Sequence, residues 1–315
     1  MKSLKEGGYI MFANAINIVG NFTRPILTIS REYKSQNVIP GAATLFFVND
    51  EGYAITCKHV AEIIIQAEKI NSQYNAFKQE RNALPNDSHR KSELKKLEKK
   101  YGYHSNATVE LKNNLFGCVD SSSSIDYILH PQYDLAIIKF EGYKKTLYTG
   151  HAVFAKNGAN VQPGDFLCRL GYPFPEYTGY IYDKASDSID WDPTGRLITP
   201  RFPIEGMLTR HLLRQNGEIM GFELSTPGLR GQSGGPLFSA DGIIYGMQSM
   251  TNHLHLGFDI TNETMLIQGK TQIINNQPFL HVGQCIHVDI IKQFLDKNHV
   301  HYFVGDSLDS EEAIN

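Results

Sequence analysis

The chain contains 315 residues, of which 41% are hydrophobic and 20% are charged, and its formal net charge is −3 at pH 7. These values exclude a disordered or collagen-like chain and suit one large domain or two subdomains of about 150 residues each. A charge so close to zero argues against a general nucleic-acid binder. Because no apolar run approaches the roughly 20 residues that cross a bilayer, we expect no membrane partner.

The cysteine content bears on metals and on the cellular compartment. Four cysteines are present, too few for a disulfide framework in a chain of this length. None belongs to a Cys-x-x-Cys pair of the kind that binds zinc, so we predict neither a metal nor a cofactor. The apolar segment 9–20 is interrupted by Asn14 and Asn17, which favours a first helix or strand of the mature chain over a signal peptide. These features together predict a cytoplasmic protein.

Short strands separated by turn residues follow one another along most of the chain. Residues 43–48 are β-branched and aromatic, a turn rich in Asn, Asp and Gly follows, and residues 53–57 resume a strand. Residues 205–224 and 235–247 repeat this pattern of strand, glycine-containing turn and strand. Repeated hairpins of this kind predict an all-β fold, arranged as an antiparallel sandwich or barrel.

Other segments depart from the strand pattern. Residues 61–101, rich in Lys, Glu, Gln and Ala, predict two helices joined by a turn, as either a surface insertion or an element that docks a regulatory partner. Residues 172–203, rich in Pro, Tyr and Asp, predict a long ordered loop. Residues 286–295 have helical periodicity and predict a C-terminal helix, and the acidic residues 304–315 predict a flexible tail.

The segment from Gly231 to Pro236 reads GQSGGP and has the composition of a nucleophile loop. A serine hydroxyl is a poor nucleophile at neutral pH and needs a base and a stabilised oxyanion. Glycines on both sides allow a tight turn that aims the amides of Gly231 and Ser233 at one point. Taken alone, the segment is equally compatible with an ordinary glycine-rich turn.

Two further segments supply residues that could activate this serine. Residues 54–60 (AITCKHV) form a strand that runs into His59, and histidine is the side chain best suited to carry a proton near neutrality. Residues 133–139 (YDLAIIK) place Asp134 at the head of an apolar strand, where a carboxylate can accept the imidazole Nδ1–H. Separately, each is also compatible with a structural histidine or a turn-capping aspartate.

The order His59, Asp134, Ser233, with each residue at a strand end, strengthens the catalytic interpretation. Together with the strings ITCKHVA, YDLAIIKF and GQSGGPLF, the sequence resembles the trypsin-like, chymotrypsin-fold serine peptidases, and most closely their bacterial, HtrA-like branch without a PDZ domain. The resemblance implies two antiparallel β-barrels with a helical insertion and a C-terminal helix. The barrels would span residues 12–145 and 146–303.

The resemblance also implies roles for individual residues. His59 would be the general base, Asp134 its orienting partner and Ser233 the nucleophile, while the amides of Gly231 and Ser233 would form the oxyanion hole. The substrate-binding residues would lie on the strand that follows the nucleophile hairpin, with Ser249 also supporting Asp134 and Gln248 lining the primary pocket; these residues are Gln248, Ser249, Met250 and Thr251.

Two positions depart from the secreted digestive members of the family. Gln232 precedes the serine where those members carry aspartate, so activation by capture of a freed N-terminus is not expected. Pro227 stands six residues before the serine in place of aspartate, so specificity for Lys or Arg is not supported.

His253 and His255 are predicted to be surface histidines of a strand, since no third metal ligand stands at suitable spacing.

The leading prediction is a cytoplasmic serine endopeptidase that hydrolyses protein or peptide substrates through an acyl-enzyme. In one form of this hypothesis the enzyme is held inactive until a regulatory partner or signal reorders residues 172–203 or the insertion. The alternative is a trypsin-like module that has lost turnover and binds extended peptides or partner proteins. The complete triad favours the enzyme.

Overall fold

The computed structural model describes residues 12–267 and 270–314. Strands account for 42% and helices for 20% of the structure, which confirms the predicted all-β class. The helices are α1 (Ala13–Gly20), α2 (Lys58–Ala83), α3 (Arg90–Tyr101) and α4 (Val288–Lys297). The strands are β1 (Thr23–Glu32), β2 (Val38–Phe47), β3 (Tyr53–Thr56), β4 (Thr108–Asn114), β5 (Ser124–Leu129), β6 (Ala136–Glu141), β7 (Val153–Ala155), β8 (Phe166–Gly171), β9 (Tyr180–Asp183), β10 (Ser188–Trp191), β11 (Phe202–Leu213), β12 (Ile219–Leu224), β13 (Pro236–Phe238), β14 (Ile244–His255), β15 (Ile260–Ile267), β16 (Lys270–Asn276), β17 (Phe279–His287), β18 (Tyr302–Gly305) and β19 (Glu312–Ile314).

Two large sheets form the body of the molecule. The first has the order β4-β1-β2-β3-β6-β5, is antiparallel throughout and closes into a barrel. The second has the order β13-β8-β11-β12-β17-β14-β7-β18-β19 and forms a half-barrel. This is the chymotrypsin-like architecture that the sequence predicted.

The second sheet differs from the predicted antiparallel barrel in two respects, because it is a half-barrel and because it is not antiparallel throughout. β7 pairs in parallel with both β14 and β18. Its three residues, Val153, Phe154 and Ala155, are all buried, and parallel strands are typically those covered on both faces. The two sheets share one continuous apolar core, to which Leu45 of β2 in the first sheet and Met247 of β14 in the second both contribute.

The helical insertion lies close to its predicted position, but its first helix begins earlier. α2 starts at Lys58, directly after the extended residue Cys57, so His59 lies in the first turn of a helix. Aromatic residues fasten the insertion to the first sheet, since Tyr74 and Phe77 of α2 pack against Tyr33. Among the described helices, none is long and apolar enough to cross a membrane.

Three other segments contain structure that the sequence did not indicate. Residues 172–203, predicted as a loop, include the hairpin β9–β10, which packs on β1 through Tyr177 and Ile189. Residues 304–315, predicted as a flexible tail, continue β18 and then return as β19 to pair with it. β14 and β17 extend together as a long ladder from Gly246 to His255, and β15 and β16 form a hairpin between them.

Candidate active site

His59 and Asp134 come together because of the pairing of two neighbouring strands in the first sheet. β3 ends at Thr56 and β6 begins at Ala136, and these residues are opposite each other in the antiparallel register. His59 follows β3, and Asp134 precedes β6. Antiparallel pairing therefore brings the residue just after one strand next to the residue just before the other.

The contact between these two side chains is bidentate. Nδ1 of His59 lies 2.8 Å from Oδ2 and 3.0 Å from Oδ1 of Asp134. The backbone N–H of His59 also donates to Oδ1 at 2.9 Å. A carboxylate in this position fixes the orientation of the imidazole ring and directs Nε2 away from itself. Because 46% of the His59 side chain is exposed, the ring is accessible to a ligand.

The turn that carries Asp134 is held by a neighbouring histidine. Nδ1 of His130 accepts hydrogen bonds from the amides of Gln132 and Tyr133. The backbone N–H of His130 donates to the Leu135 carbonyl at 2.9 Å. The position of the Asp134 carboxylate is therefore set by a closed turn as well as by β6.

Hydrogen bonds keep the Asp134 carboxyl ionised. Burial by itself would raise its pKa, but hydrogen bonds from the His59 ring, the His59 amide and the Ser249 hydroxyl outweigh burial, and the pKa is lowered. The Ser249 hydroxyl donates to Oδ2 at 2.7 Å, so Ser249 lies where the family resemblance placed a support for this aspartate. At neutral pH the side chain is a carboxylate and can only accept hydrogen bonds.

Ser233 lies in the loop that precedes β13, and this loop is fastened to the first sheet. The backbone N–H of Thr44, in β2, donates to the Ser233 carbonyl at 3.0 Å. The Thr44 hydroxyl donates to the Gly231 carbonyl at 2.7 Å. Gly234 has a φ of +86°, and a Cβ at this position would lie 2.1 Å from the Thr44 carbonyl oxygen. Only glycine fits such a close approach between loop and sheet.

Two backbone N–H groups of the nucleophile loop have no hydrogen-bond acceptor among the described residues. Within residues 12–267 and 270–314, the N–H groups of Gly231 and Ser233 donate no hydrogen bond, whereas that of Gly234 donates to the Gln248 carbonyl at 2.9 Å. Gly231 has a φ of +92°, which lies in the left-handed region that glycine adopts readily. The unpaired N–H of Ser233 itself and that of Gly231, two residues earlier, are donors that can stabilise an oxyanion at this serine.

The imidazole and the serine hydroxyl open into the same cavity. His59, Gly231 and Ser233 line a space of about 370 Å³. No hydrogen bond joins His59 to the Ser233 hydroxyl in the described part of the chain, where the His59 ring bonds to Asp134. Catalytic hydrogen bonds are often long in the absence of substrate and tighten when it binds. The structure therefore joins His59 to Asp134 and places Ser233 beside them.

Gln232 braces the nucleophile loop from within the protein. Its side chain is fully buried, its Oε1 accepts from the Leu229 amide at 3.0 Å, and its Nε2 donates to the Phe202 carbonyl at 3.1 Å. A neutral amide thus satisfies the groups under the loop. This arrangement needs no charged terminus, in line with the expectation drawn from the absence of aspartate here.

The strand that follows the nucleophile hairpin presents a free edge beside Ser233. β13 pairs with β14 only as far as Met247, while β17 covers the other edge of β14 as far as His255. From Ser249 onward, the first edge has no strand partner among the described residues. Unpaired backbone groups on such an edge can receive an extended peptide as an added strand. Met250 is 54% exposed on this edge, and Thr251 follows it.

Gln248 lines a second cavity next to Ser233, but its side chain is largely committed to the protein. Only 2% of the residue is exposed. Its Oε1 accepts from Nη1 of Arg169 at 2.7 Å, and its Nε2 donates to the Met250 carbonyl at 2.8 Å. The role of Gln248 in substrate binding stays a prediction, and a buried cation that orients its side chain was not expected from the sequence. The signal was present, since Arg169 interrupts the apolar strand FLCRLG.

Thr44 is the second residue that the sequence analysis missed. It lies in a strand of ordinary composition, and its partner Gly231 is 187 residues away along the chain. Such a contact leaves no local pattern in the sequence.

Side chains of the kinds that bind metal ions lie close to the site. Atoms of Cys57, His59 and Asp134 lie within 4.8 Å of one another. However, Cys57 is fully buried and burial raises the pKa of its thiol well above the usual value, so the thiolate that metals require is disfavoured. His253 contacts His281 directly, with 2.6 Å between the two Nδ1 atoms, and His255 pairs with Asp259.

The chain was compared with curated protein sequences and with solved structures. No curated protein sequence matches it. Among solved structures, the HtrA-type protease AlgW with a decapeptide is 13% identical, with a TM-score of 0.47, over 91% of this chain and 67% of its own. An AlgW variant with a tripeptide is also 13% identical, with a TM-score of 0.45, over 91% of this chain and 63% of its own. The chain thus spans about two thirds of the length of these proteins.

The family comparison is more decisive, because it covers the site itself. The profile described as a trypsin-like peptidase domain matches residues 43–247. This range is well over half of the chain and contains His59, Asp134 and Ser233. The chain therefore belongs to the trypsin-like peptidase domain family.

Proposed function

We propose that this protein is a serine endopeptidase that cleaves peptide bonds through an acyl-enzyme. The observation that carries the proposal is the bidentate contact between His59 and Asp134, beside Ser233, whose own amide and that of Gly231 have no hydrogen-bond partner among the described residues. Each component has a separate task in acyl transfer, and all are needed at one place.

The proposed reaction begins with attack by the Ser233 hydroxyl on the substrate carbonyl. Nε2 of His59 accepts the hydroxyl proton, and the Asp134 carboxylate stabilises the imidazolium that forms. The N–H groups of Gly231 and Ser233 donate to the oxyanion of the tetrahedral intermediate. His59 then gives its proton to the leaving amine as the peptide C–N bond breaks, which leaves the acyl-enzyme. In the second half-reaction water gives a proton to His59 and attacks the acyl-enzyme, and the acid product is released as His59 returns the proton to Ser233.

The substrate is expected to bind as an extended segment along β14. Backbone groups from Ser249 to Thr251 would pair with it, as one strand pairs with another. This arrangement places the scissile carbonyl near Ser233 and directs the preceding side chain into the cavity bounded by Gln248. A protein or peptide with an accessible extended segment is therefore the proposed partner.

Control by a regulatory partner stays a prediction, and one structural link supports it. A Cβ on Gly231 would lie 2.5 Å from the Tyr172 carbonyl oxygen, so the segment that begins at Tyr172 adjoins the oxyanion amides. The same segment reaches the insertion, where Asp187 accepts from Arg81 and Tyr74 of α2. Full activity of the purified protein alone would contradict this form of control.

The test of the proposed function is replacement of Ser233 by alanine. Digestion of a proteome-derived peptide library should reveal cleavage by the wild-type protein, and Ser233→Ala should lower the rate by more than about 10⁴-fold. Ser239→Ala is the matched control, since Ser239 lies beyond β13 and away from the cavity that His59 and Ser233 share. Equal cleavage by the wild-type and Ser233→Ala proteins would overturn the proposal.

A further inference from the structure

The cavity beside Ser233 contains an arginine in its lining. It has a volume of about 550 Å³, and its lining includes Arg230 together with the histidine pair His253 and His281. No aspartate or glutamate is among the residues that line it. The remaining lining comes from the loop before the nucleophile and from β14: Pro227, Gly228, Leu229, Ser233, Gln248, Ser249, Met250 and Thr251.

A buried guanidinium group lies behind the wall of this cavity. Arg169, in β8, is completely buried. Its Nη2 donates to the carbonyl and the hydroxyl of Thr226, the residue just before the cavity loop. A Cβ on Gly283 would lie 2.2 Å from Nη1, so the guanidinium occupies the space that a side chain of β17 would otherwise fill.

The positive charge of Arg169 is not balanced by a carboxylate. In the part of the chain that the structure describes, Arg169 takes part in no salt bridge, and its Nε has no hydrogen-bond partner. Burial lowers the pKa of Arg169, but guanidinium groups remain protonated in proteins. An uncompensated buried cation is unfavourable unless a charged partner approaches it.

Gln248 connects this cation to the cavity. Because its Oε1 accepts from Arg169, its Nε2 must point the other way, where one N–H donates to the Met250 carbonyl. Nε2 also lies against the cavity loop, since a Cβ on Gly228 would be 2.3 Å from it, and its second N–H is the donor that we assign to a ligand. Arg169 therefore acts as a positioning residue that turns a donor of Gln248 toward the cavity, while Arg230 supplies an exposed cation at its mouth.

We propose that this cavity, the primary pocket that the family resemblance implies, accepts an acidic side chain, aspartate or glutamate, at the residue before the scissile bond. This inference rests on the proposed function, because the side chain in the pocket selects a cleavage site only if the protein is a peptidase. The pocket itself can be tested separately, because recognition of the side chain does not require turnover. A substrate carboxylate would accept from Gln248 Nε2 and Arg230 and would lie in the field of Arg169.

The test uses the Ser233→Ala protein and product-like hexapeptides that differ only in their last residue. Peptides that end in Asp, Asn, Glu, Gln or Lys are compared by fluorescence anisotropy. The Asp and Glu peptides should bind at least about tenfold more tightly than their neutral isosteres, as expected for a charge-assisted contact in a partly buried site. Equal binding of the Asp and Asn peptides, or tighter binding of the Lys peptide, would overturn the proposal.

Variants in the same background identify the cations responsible. Arg169→Met should abolish the discrimination between Asp and Asn, whereas Arg169→Lys, which keeps the charge, should retain most of it. Should Arg169→Met fail to fold, Arg230→Gln is the deciding variant, because Arg230 is exposed, and it should reduce the discrimination several-fold. Lys184→Gln, which removes an exposed cation outside the pocket, should leave the ratio unchanged. Discrimination that persists in both Arg169→Met and Arg230→Gln contradicts the proposal.

The result is distinguishable from a failure of the proposed function. A preference of the Ser233→Ala protein for acidic peptides, combined with no hydrolysis by the wild-type protein, would support the pocket and contradict the enzyme. Hydrolysis by the wild-type protein after neutral or basic residues would support the enzyme and contradict the acidic pocket.

Discussion

At the scale of single residues, the proposed mechanism depends on a charge held in a defined position. Asp134 receives hydrogen bonds from the ring and backbone of His59 and from Ser249. Asparagine at this position has a similar shape but can donate to Nδ1, which favours the wrong tautomer of the imidazole. The identity of this one side chain therefore decides whether Nε2 can accept a proton.

Asp134→Asn should lower kcat by about 10⁴-fold while leaving the fold intact. The measurement is the steady-state rate on a peptide found in the library digest, together with the circular dichroism spectrum. Asp126→Asn, in the exposed part of β5, should retain wild-type activity. A loss of less than tenfold in Asp134→Asn would show that His59 does not rely on this carboxylate.

The sequence revealed the three candidate catalytic residues because each belongs to a short motif with its own turn or strand chemistry. Glycines mark the loop of Ser233, and strand ends mark His59 and Asp134. Thr44 has no such motif, and Arg169 is marked only as a charge within an apolar strand, so that the sequence does not reveal their contacts with Gly231 and Gln248. Residues that act through tertiary contacts are found only when the fold is known.

At the scale of elements, the insertion and the segment 172–203 are joined by a network of charges. Asp187, in the turn between β9 and β10, accepts from Arg81 and Tyr74 of α2 and pairs with Arg31 of β1. Burial by itself would raise the pKa of Asp187, but these hydrogen bonds and the charge of Arg31 lower it. Both elements are thereby held on the first sheet.

Asp187→Asn should lower the free energy of unfolding by about 2–3 kcal/mol at pH 7, because Arg31 and Arg81 lose their shared counter-charge. Asparagine tolerates the positive φ of 51° at this position, so the variant isolates the charge. The measurement is denaturant unfolding. Asp183→Asn, in an exposed part of the same turn, is the control and should have little effect.

The effect of Asp187→Asn should depend on pH. Since the folded-state pKa is lowered, the carboxylate contributes stability above its unfolded pKa, and this contribution is lost as the pH falls through the folded value. The difference between wild-type and Asp187→Asn proteins should therefore shrink below about pH 4. A difference that stays constant from pH 7 to pH 3 would contradict the role assigned to this charge.

The sequence predicted the helices of the insertion better than the hairpin that they contact. α3 has a charged, regular pattern, and it ends at Tyr101, the last residue of the predicted helical segment. β9 and β10 have only four residues each and lie in a segment rich in aspartate and tyrosine, where local propensity does not indicate strands. Their pairing depends on the apolar cluster with Leu27 and Ile29 of β1.

At the scale of the whole molecule, all four cysteines lie inside the core. Cys57, Cys118, Cys168 and Cys285 are free and buried, and burial raises the pKa of each thiol, to about 12 for Cys168 and Cys285. The thiolate is the reactive form. The folded protein should therefore present no reactive thiol at mildly alkaline pH.

Iodoacetamide at pH 8 should leave the native protein unmodified and should alkylate all four cysteines after denaturation. Intact-mass spectrometry measures the number of added groups. Rapid modification of Cys57 in the native state would show that the core next to His59 opens in solution. Modification only after unfolding would agree with the continuous core that the two sheets share.

Activation of the Ser233 hydroxyl by His59 can be measured by covalent labelling. A fluorophosphonate probe requires an activated serine but no knowledge of the natural substrate. Peptide mapping of the treated protein should find the label on Ser233 in the wild-type chain and its loss in His59→Ala. Absence of label from the folded wild-type protein, or equal labelling of His59→Ala, would contradict the account.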